Sequence, residues 1–319
     1  MTPLQRYIAE EIATDHVDGL LSRREALRRM ALLGVGAAAA SALIAACGEN
    51  GSTTPSSSGS STGDSGSPSP TGGSPSSTAA STAAAPPPGV ENEVATAAIT
   101  WPGPGGELQG AWAAAASPKG AILVVHENKG LTDWAKSVAG RFAGIGYSSL
   151  AIDLLSGRGG TAAFTDPAQA TAALSTIPPE QFVADLRSGL DEVARRTPGV
   201  KLAVVGFCMG GGLVWQLLAA GEPRLAAAFP FYGPLPEGAS FAGSAGAAVL
   251  GFYGEKDARV NATREAAERA LTDAGLVHEL VVEPGADHAF FNDTGQRYDP
   301  TAAADAWRRT GDWLTAHVG

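Results

Sequence analysis

Val205-Gly206-Phe207-Cys208-Met209-Gly210-Gly211-Gly212, VGFCMGGG, sets a single cysteine among glycines directly after the apolar run 202–205. A strand that turns sharply into a helix lifts the residue at the corner above the edge of a sheet, and small flanking residues let the backbone turn. G-x-C-x-G is the cysteine form of this nucleophile elbow. The helix that follows aims its N-terminal dipole at the sulfur, which favours a thiolate. Read blandly, the same thiol is a small buried hydrophobe packed in a turn. The surrounding sequence has to decide between the two.

Short apolar runs occur at 121–125, 147–152, 202–205, 226–231, 248–253 and 278–282. Between them lie helix-like stretches at 132–144, 179–196, 211–220, 261–274 and 301–316. Continuous apolar strands separated by helices predict an α/β fold with a mostly parallel sheet covered on both faces. In such sheets the chemistry sits at the carboxyl ends of the strands.

Three of those ends carry reactive groups. Cys208 follows 202–205, Asp257 follows 248–253 in Gly254-Glu255-Lys256-Asp257, and His288 follows 278–282 through Pro284-Gly285-Ala286-Asp287. Nucleophile, acid, histidine is the chain order of the α/β-hydrolases. In that arrangement the sulfur attacks a carbonyl, His288 takes and returns the proton, and Asp257 orients the imidazole. Taken singly, Asp257 reads as a helix cap and His288 as a loop histidine. Of the other histidines, His16 is near the N-terminus, His278 lies in a strand pattern and His317 is two residues from the end. His126, at a strand end beside Glu127, is the one rival.

Other motifs fail on inspection. Residues 206–211 have P-loop glycine spacing, but Gly212 and Leu213 stand where Lys and Ser or Thr are required. His126-Glu127-Asn128-Lys129-Gly130 lacks the second histidine of a zinc-protease helix, so neither a metal site nor a cofactor is expected. Gly34-Val35-Gly36 mimics a dinucleotide fingerprint without a strand before it. The net charge of −10 argues against a nucleic-acid partner. Two cysteines, Cys47 and Cys208, provide no disulfide framework.

Along the chain, three regions separate. Residues 1–46 carry Arg23-Arg24 ahead of the apolar run 31–46, ALLGVGAAAASALIAA, which ends at Cys47. That run is too short and too rich in small residues for a comfortable membrane span. Ile44-Ala45-Ala46-Cys47 resembles the lipobox of bacterial lipoproteins, and the arginines resemble a twin-arginine export signal, although Ala26 stands where a bulkier residue is usual. The resemblance implies cleavage before Cys47, a lipid on its sulfur and an extracytoplasmic, membrane-anchored protein. Residues 47–93 are almost entirely Ser, Thr, Pro, Gly and Ala in their first forty positions, a composition that predicts a disordered tether. Residues 94–319 then suffice for one catalytic domain, expected as a monomer.

The stretches VVHENKGLTDW, GFCMGG, GEKDARV and GADHAFFNDTGQRYDPTAAADAW resemble the dienelactone hydrolase (carboxymethylenebutenolidase) family of α/β-hydrolases. The resemblance runs from about residue 95 to the end. It implies a Cys208-His288-Asp257 triad, an acyl-enzyme intermediate, and Glu127 as a carboxylate that helps switch the thiol on. It also implies an oxyanion hole from the backbone N–H groups of Met209 and Asn128. The substrate would be a small ester or lactone. Where family members that cleave dienelactones place an arginine soon after the histidine, Asn292 stands, and the next arginine is Arg297. Arg158 fits the family's other substrate-binding arginine, with Leu155 replacing a customary tyrosine. Two other readings fit the same residues: a tethered binding protein without turnover, and a general esterase or thioesterase acting on cell-envelope esters.

Overall fold

The computed structural model describes residues 1–49 and 86–319. Most of the expected tether, at 50–85, therefore lies outside the described residues. Residues 86–93 lie against the folded domain: Arg141 Nη1 donates to the Pro88 carbonyl, and the Glu93 carboxylate accepts from Ser137.

A single eight-stranded sheet organises the domain. Its strands are β1 (Ala97–Gly103), β2 (Gly106–Ala113), β3 (Gly120–Val125), β4 (Tyr147–Asp153), β5 (Leu202–Phe207), β6 (Leu225–Phe231), β7 (Ala248–Gly254) and β8 (His278–Glu283). The order is β1-β2-β4-β3-β5-β6-β7-β8. Strands β1 and β2 pair antiparallel with each other, and β2 pairs antiparallel with β4; every other neighbour is parallel. The continuous apolar runs occupy the interior: β3, β4, β5 and β7 are buried at every residue. Edge strands β1 and β8 are only partly covered, with one buried residue each. This is the mostly parallel, doubly covered sheet expected of an α/β-hydrolase.

The covering helices follow from amphipathic spacing and local caps. They are α4 (Asp133–Gly144), α5 (Pro167–Leu174), α6 (Pro179–Arg196), α7 (Met209–Ala219), α8 (Ala258–Asn261), α9 (Arg264–Asp273) and α10 (Pro300–His317). On α6, Phe182, Leu186, Leu190 and Val193 repeat at helical spacing and are buried, while Arg195 and Arg196 close the last turn. The single helix expected over 261–274 is broken between α8 and α9. Thr263 turns its hydroxyl to the Val260 carbonyl and accepts from Leu235 N–H, tying the break to the loop after β6.

The N-terminal region forms three helices, α1 (Pro3–Val17), α2 (Arg23–Leu32) and α3 (Ala37–Glu49). Thr2 and Gln5 form a reciprocal capping box on α1, and Ser22 caps α2 through Glu25 N–H. Tyr7, Ile8, Ala9, Ile12 and Ala13 make the buried side of α1. Among the described residues no helix is long and apolar enough to cross a membrane.

Candidate active site

The elbow is built by close backbone contacts. Cys208 sits between β5 and α7 with φ 56° and ψ −119°, a region that side chains rarely enter. A Cβ on Gly206 would lie 2.2 Å from the Gly210 carbonyl oxygen, and one on Gly210 would lie 2.4 Å from that of Val125. The two glycines are required because backbone passes where side chains would be. The Cys208 N–H donates to the Phe231 carbonyl at 3.0 Å, which locks the corner against β6. The thiol is 2% exposed.

Asp257 and His288 converge on it from the ends of β7 and β8. His288 Nδ1 and Asp257 Oδ2 are 2.5 Å apart, and both residues are buried. Asp257 is fixed in turn by accepting from Val260 N–H as the cap of α8. Nε2 of His288 is buried without a hydrogen-bond partner among the described residues. A ring nitrogen of His288 and Sγ of Cys208 lie within 4.8 Å of each other.

The charges around this cluster follow from burial and neighbours. Burial disfavours the His288 cation, but Asp257 and the Cys208 sulfur overcome it and hold the imidazole well above its usual pKa. Burial likewise opposes the Asp257 charge, and His288 reverses the balance, keeping that carboxyl below its ordinary range. Burial pushes the Cys208 thiol up, and the carboxylates of Glu11 and Glu127 push the same way against the pull of His288. Burial and the two carboxylates thus draw the sulfur toward the thiol, and His288 draws it toward the thiolate.

Glu127 follows β3 and lines the same cavity, of about 380 Å³, as Cys208 and His288. Its carboxylate accepts from Asn292 Nδ2 at 2.8 Å and from the Tyr232 hydroxyl at 3.4 Å. Burial raises its pKa, more than Lys129 and the Asn292 hydrogen bond lower it. Asn128 lines the cavity too, and its carbonyl is anchored by Thr171 at 2.8 Å. Met209 opens α7, where first-turn N–H groups have no acceptor within the helix. His126 faces elsewhere: its ring pairs with the Glu127 carbonyl and accepts from Leu154 N–H, which satisfies it as a buried structural residue.

Cys208, His288, Asp257, Glu127 and Asn128 are thus gathered at one place. Arg158 is not. It lines a separate cavity of about 150 Å³ with Leu154, Gln181 and Asp185, and its Nη2 donates to Thr176. Arg297, by contrast, faces the Cys208 cavity. Leu155, in place of the customary tyrosine, is fully buried.

Two groups that the sequence did not single out touch the sulfur, and both come from α1. The Tyr7 hydroxyl lies 3.4 Å from Sγ, and Sγ donates to Glu11 Oε2 at 3.5 Å. Asn128 Nδ2 donates to Glu11 Oε1 at 3.2 Å. Glu11, Cys208 and His288 form the one cluster among the described residues with spacing that would suit a metal ion. Thiol, imidazole and carboxylate are also the groups of a nucleophile, its base and a neighbouring acid, and the Asp257 contact on Nδ1 serves that role as well as any metal.

A family model described as the dienelactone hydrolase family matches residues 109–318. A protein of Saccharolobus solfataricus named as a carboxymethylenebutenolidase is 30% identical over 244 residues, 66% of this chain and 94% of that one. One of Yersinia pestis, with the same name, is 33% identical over 212 residues, 63% of this chain and 79% of the relative. A crystal structure from Klebsiella pneumoniae subsp. pneumoniae MGH 78578, titled as a dienelactone hydrolase, superposes with a TM-score of 0.61 at 32% identity. It covers 70% of this chain and 98% of its own.

Proposed function

This chain belongs to the dienelactone hydrolase family of carboxylic ester and lactone hydrolases, and we propose that it works through a Cys208-His288-Asp257 triad and a thioester intermediate. The observation that supports this most is the placement of a strained, left-handed Cys208 beside an imidazole whose far nitrogen is held 2.5 Å from Asp257. His288 draws the thiol proton as Sγ bonds to the substrate carbonyl carbon. The oxyanion is received by the N–H groups of Met209 and Asn128. The carbon–oxygen bond to the leaving group then breaks, and the imidazolium returns its proton to that oxygen. Water, deprotonated by His288, attacks the thioester, and the acid leaves as the thiol is restored. In a lactone the leaving alcohol stays tethered to the acyl group, so one product results.

Burial, then Glu11 and more weakly Glu127, oppose a permanent thiolate, so the thiol ionises as His288 engages it. That restraint suits a cysteine outside the cytoplasm, because oxidation follows thiolate character and access. The substrate class is tested by turnover of p-nitrophenyl acetate against dienelactones. Hydrolysis of either, with a burst of one equivalent when deacylation is slow, is the expected result; no hydrolysis of any ester or lactone favours a tethered binding protein. Activity confined to simple acyl esters favours the general esterase.

The export reading belongs to the same proposal. Arg23 and Arg24 are exposed at the start of α2, where a receptor can reach them on a folded chain. Cys47 is a free thiol on α3. Cleavage before it and thioether formation on its sulfur would anchor the domain to a membrane. Cys47→Ser is expected to move the protein from the detergent phase to an unprocessed or released form. A Cys47→Ser protein that partitions and migrates like wild type overturns the lipobox.

A further inference from the structure

We propose that the catalytic groove is a binding site for α1, and that residues 3–33 inhibit the enzyme until they are removed. Three independent sets of contacts seat the helix.

The first set is on the nucleophile itself. A carbonyl carbon must come within about 3–3.5 Å of the sulfur for attack. That shell is held by the Tyr7 hydroxyl at 3.4 Å and by the Glu11 oxygens at 3.5 and 3.8 Å. The thiol donates to Glu11 Oε2 at 3.5 Å, and among the described residues Nε2 of His288 has no partner at hydrogen-bond geometry. Glu11 also takes the side chain of Asn128, one of the two residues proposed to receive the oxyanion. A seated α1 and a substrate poised for attack exclude each other at the same atoms.

The second set is electrostatic. Arg297, facing the cavity, is bound by Asp15 and Asp18 at 2.6 Å each. Arg259 stacks on the Tyr7 ring at 4.2 Å and donates to the Tyr7 carbonyl at 3.1 Å. Two basic side chains of the domain thus hold the segment, Arg259 at the Tyr7 end of the buried stretch and Arg297 at the Asp15 and Asp18 end. A third ion pair, Arg28 to Asp166 at 2.8 Å, ties α2 down beside α5. The third set is apolar: Tyr7, Ile8 and Ile12 are buried, and Leu20, Leu21 and Leu33 roof the cavity.

The occupant is also positioned for removal. Residues 1–46 end at Cys47, and residues 50–85 separate that point from the domain. Cleavage before Cys47 would detach Tyr7, Glu11, Asp15 and Asp18 together. This release rests on the lipobox reading given above; the blocking contacts do not.

The test uses the full chain with Cys47→Ser to keep the segment attached. In that background Asp15→Ala with Asp18→Ala removes the Arg297 pairs without touching the thiol. Both kcat/KM for p-nitrophenyl acetate and the rate of Cys208 alkylation by iodoacetamide are expected to rise about tenfold or more. That is the gain when a blocked state holding roughly nine-tenths of the molecules is released. Unchanged or lower rates at an unchanged melting temperature overturn the proposal, and make α1 a permanent part of the site. If the double variant fails to fold, Ile12→Ala decides. It weakens the apolar seat of α1 and leaves the charges around the sulfur in place, so faster alkylation supports the block, and equal or slower alkylation overturns it. Loss of hydrolysis in Cys208→Ala with no gain from unseating α1 sinks the inhibitor alone. Retained hydrolysis in Cys208→Ala sinks the cysteine mechanism instead.

Discussion

Cys208→Ala is expected to lower ester hydrolysis by roughly 10⁴-fold or more while moving the melting temperature by only a few degrees. The thiol is the one group at the elbow able to bond to carbon, so no neighbour replaces it. Its contribution to packing is small. Removing one buried sulfur costs about 1 kcal/mol, and alanine keeps the same backbone strain at φ 56° that cysteine already bears. A structural thiol predicts the reverse pattern, in which activity falls only because the fold is lost. His288→Ala should match the loss of Cys208→Ala, and the two together should cost little more than either, because the pair acts as a unit. Fully additive losses in the double variant would separate the imidazole from the sulfur.

Much of this arrangement was legible because the determining constraints are local. The elbow announces itself through Gly206 and Gly210, which the backbone contacts make obligatory. The interior strands read clearly since burial on both faces demands unbroken apolar runs, as in β3 and β5. The antiparallel strands β1 and β2 escaped notice because one face is partly exposed and the sequence is diluted by Gly, Pro and polar residues. Asn292 read only as a departure from an arginine, whereas it holds the Glu127 carboxylate in place. Arg158 matched a position in sequence, but the turn after β4 carries it to another cavity.

The N-terminal helices are the instructive omission. An apolar run and paired arginines dominate a reading of residues 1–46, yet the start signals of two amphipathic helices were present in the same segment. Thr2-Pro3 with Gln5 and Ser22 with Glu25 are capping patterns, and Tyr7, Ile8 and Ile12 recur at helical spacing. What no local pattern reveals is the partner. Asp15 and Asp18 look like solvated charges until the fold brings Arg297 to them across the length of the chain.

Asp257→Asn is expected to reduce turnover by roughly 10⁴-fold, and to shift Cys208 alkylation to higher pH. Asp257 supports the positive form of His288 through a 2.5 Å contact at Nδ1, and that support is what lifts the imidazole against its burial. A neutral amide withdraws it. The His288 pKa then falls, the cation beside Sγ is present over a narrower range, and the thiol must ionise without it. Iodoacetamide reaction followed against pH reads the thiolate directly, independent of turnover. Glu127→Ala should move the same curve the opposite way, since the carboxylate it removes opposes the sulfur charge. There is a stability sign as well. The Asp257 carboxyl is depressed in the fold, so its contribution is present above the unfolded pKa of about 3.9 and is lost as pH falls through the folded value. The Asn variant should therefore lose stability at neutral pH and converge with wild type in acid. Alkylation curves that coincide for wild type, Asp257→Asn and Glu127→Ala would mean that neither carboxylate governs the thiol, and the mechanism would have to be rebuilt around Cys208 alone.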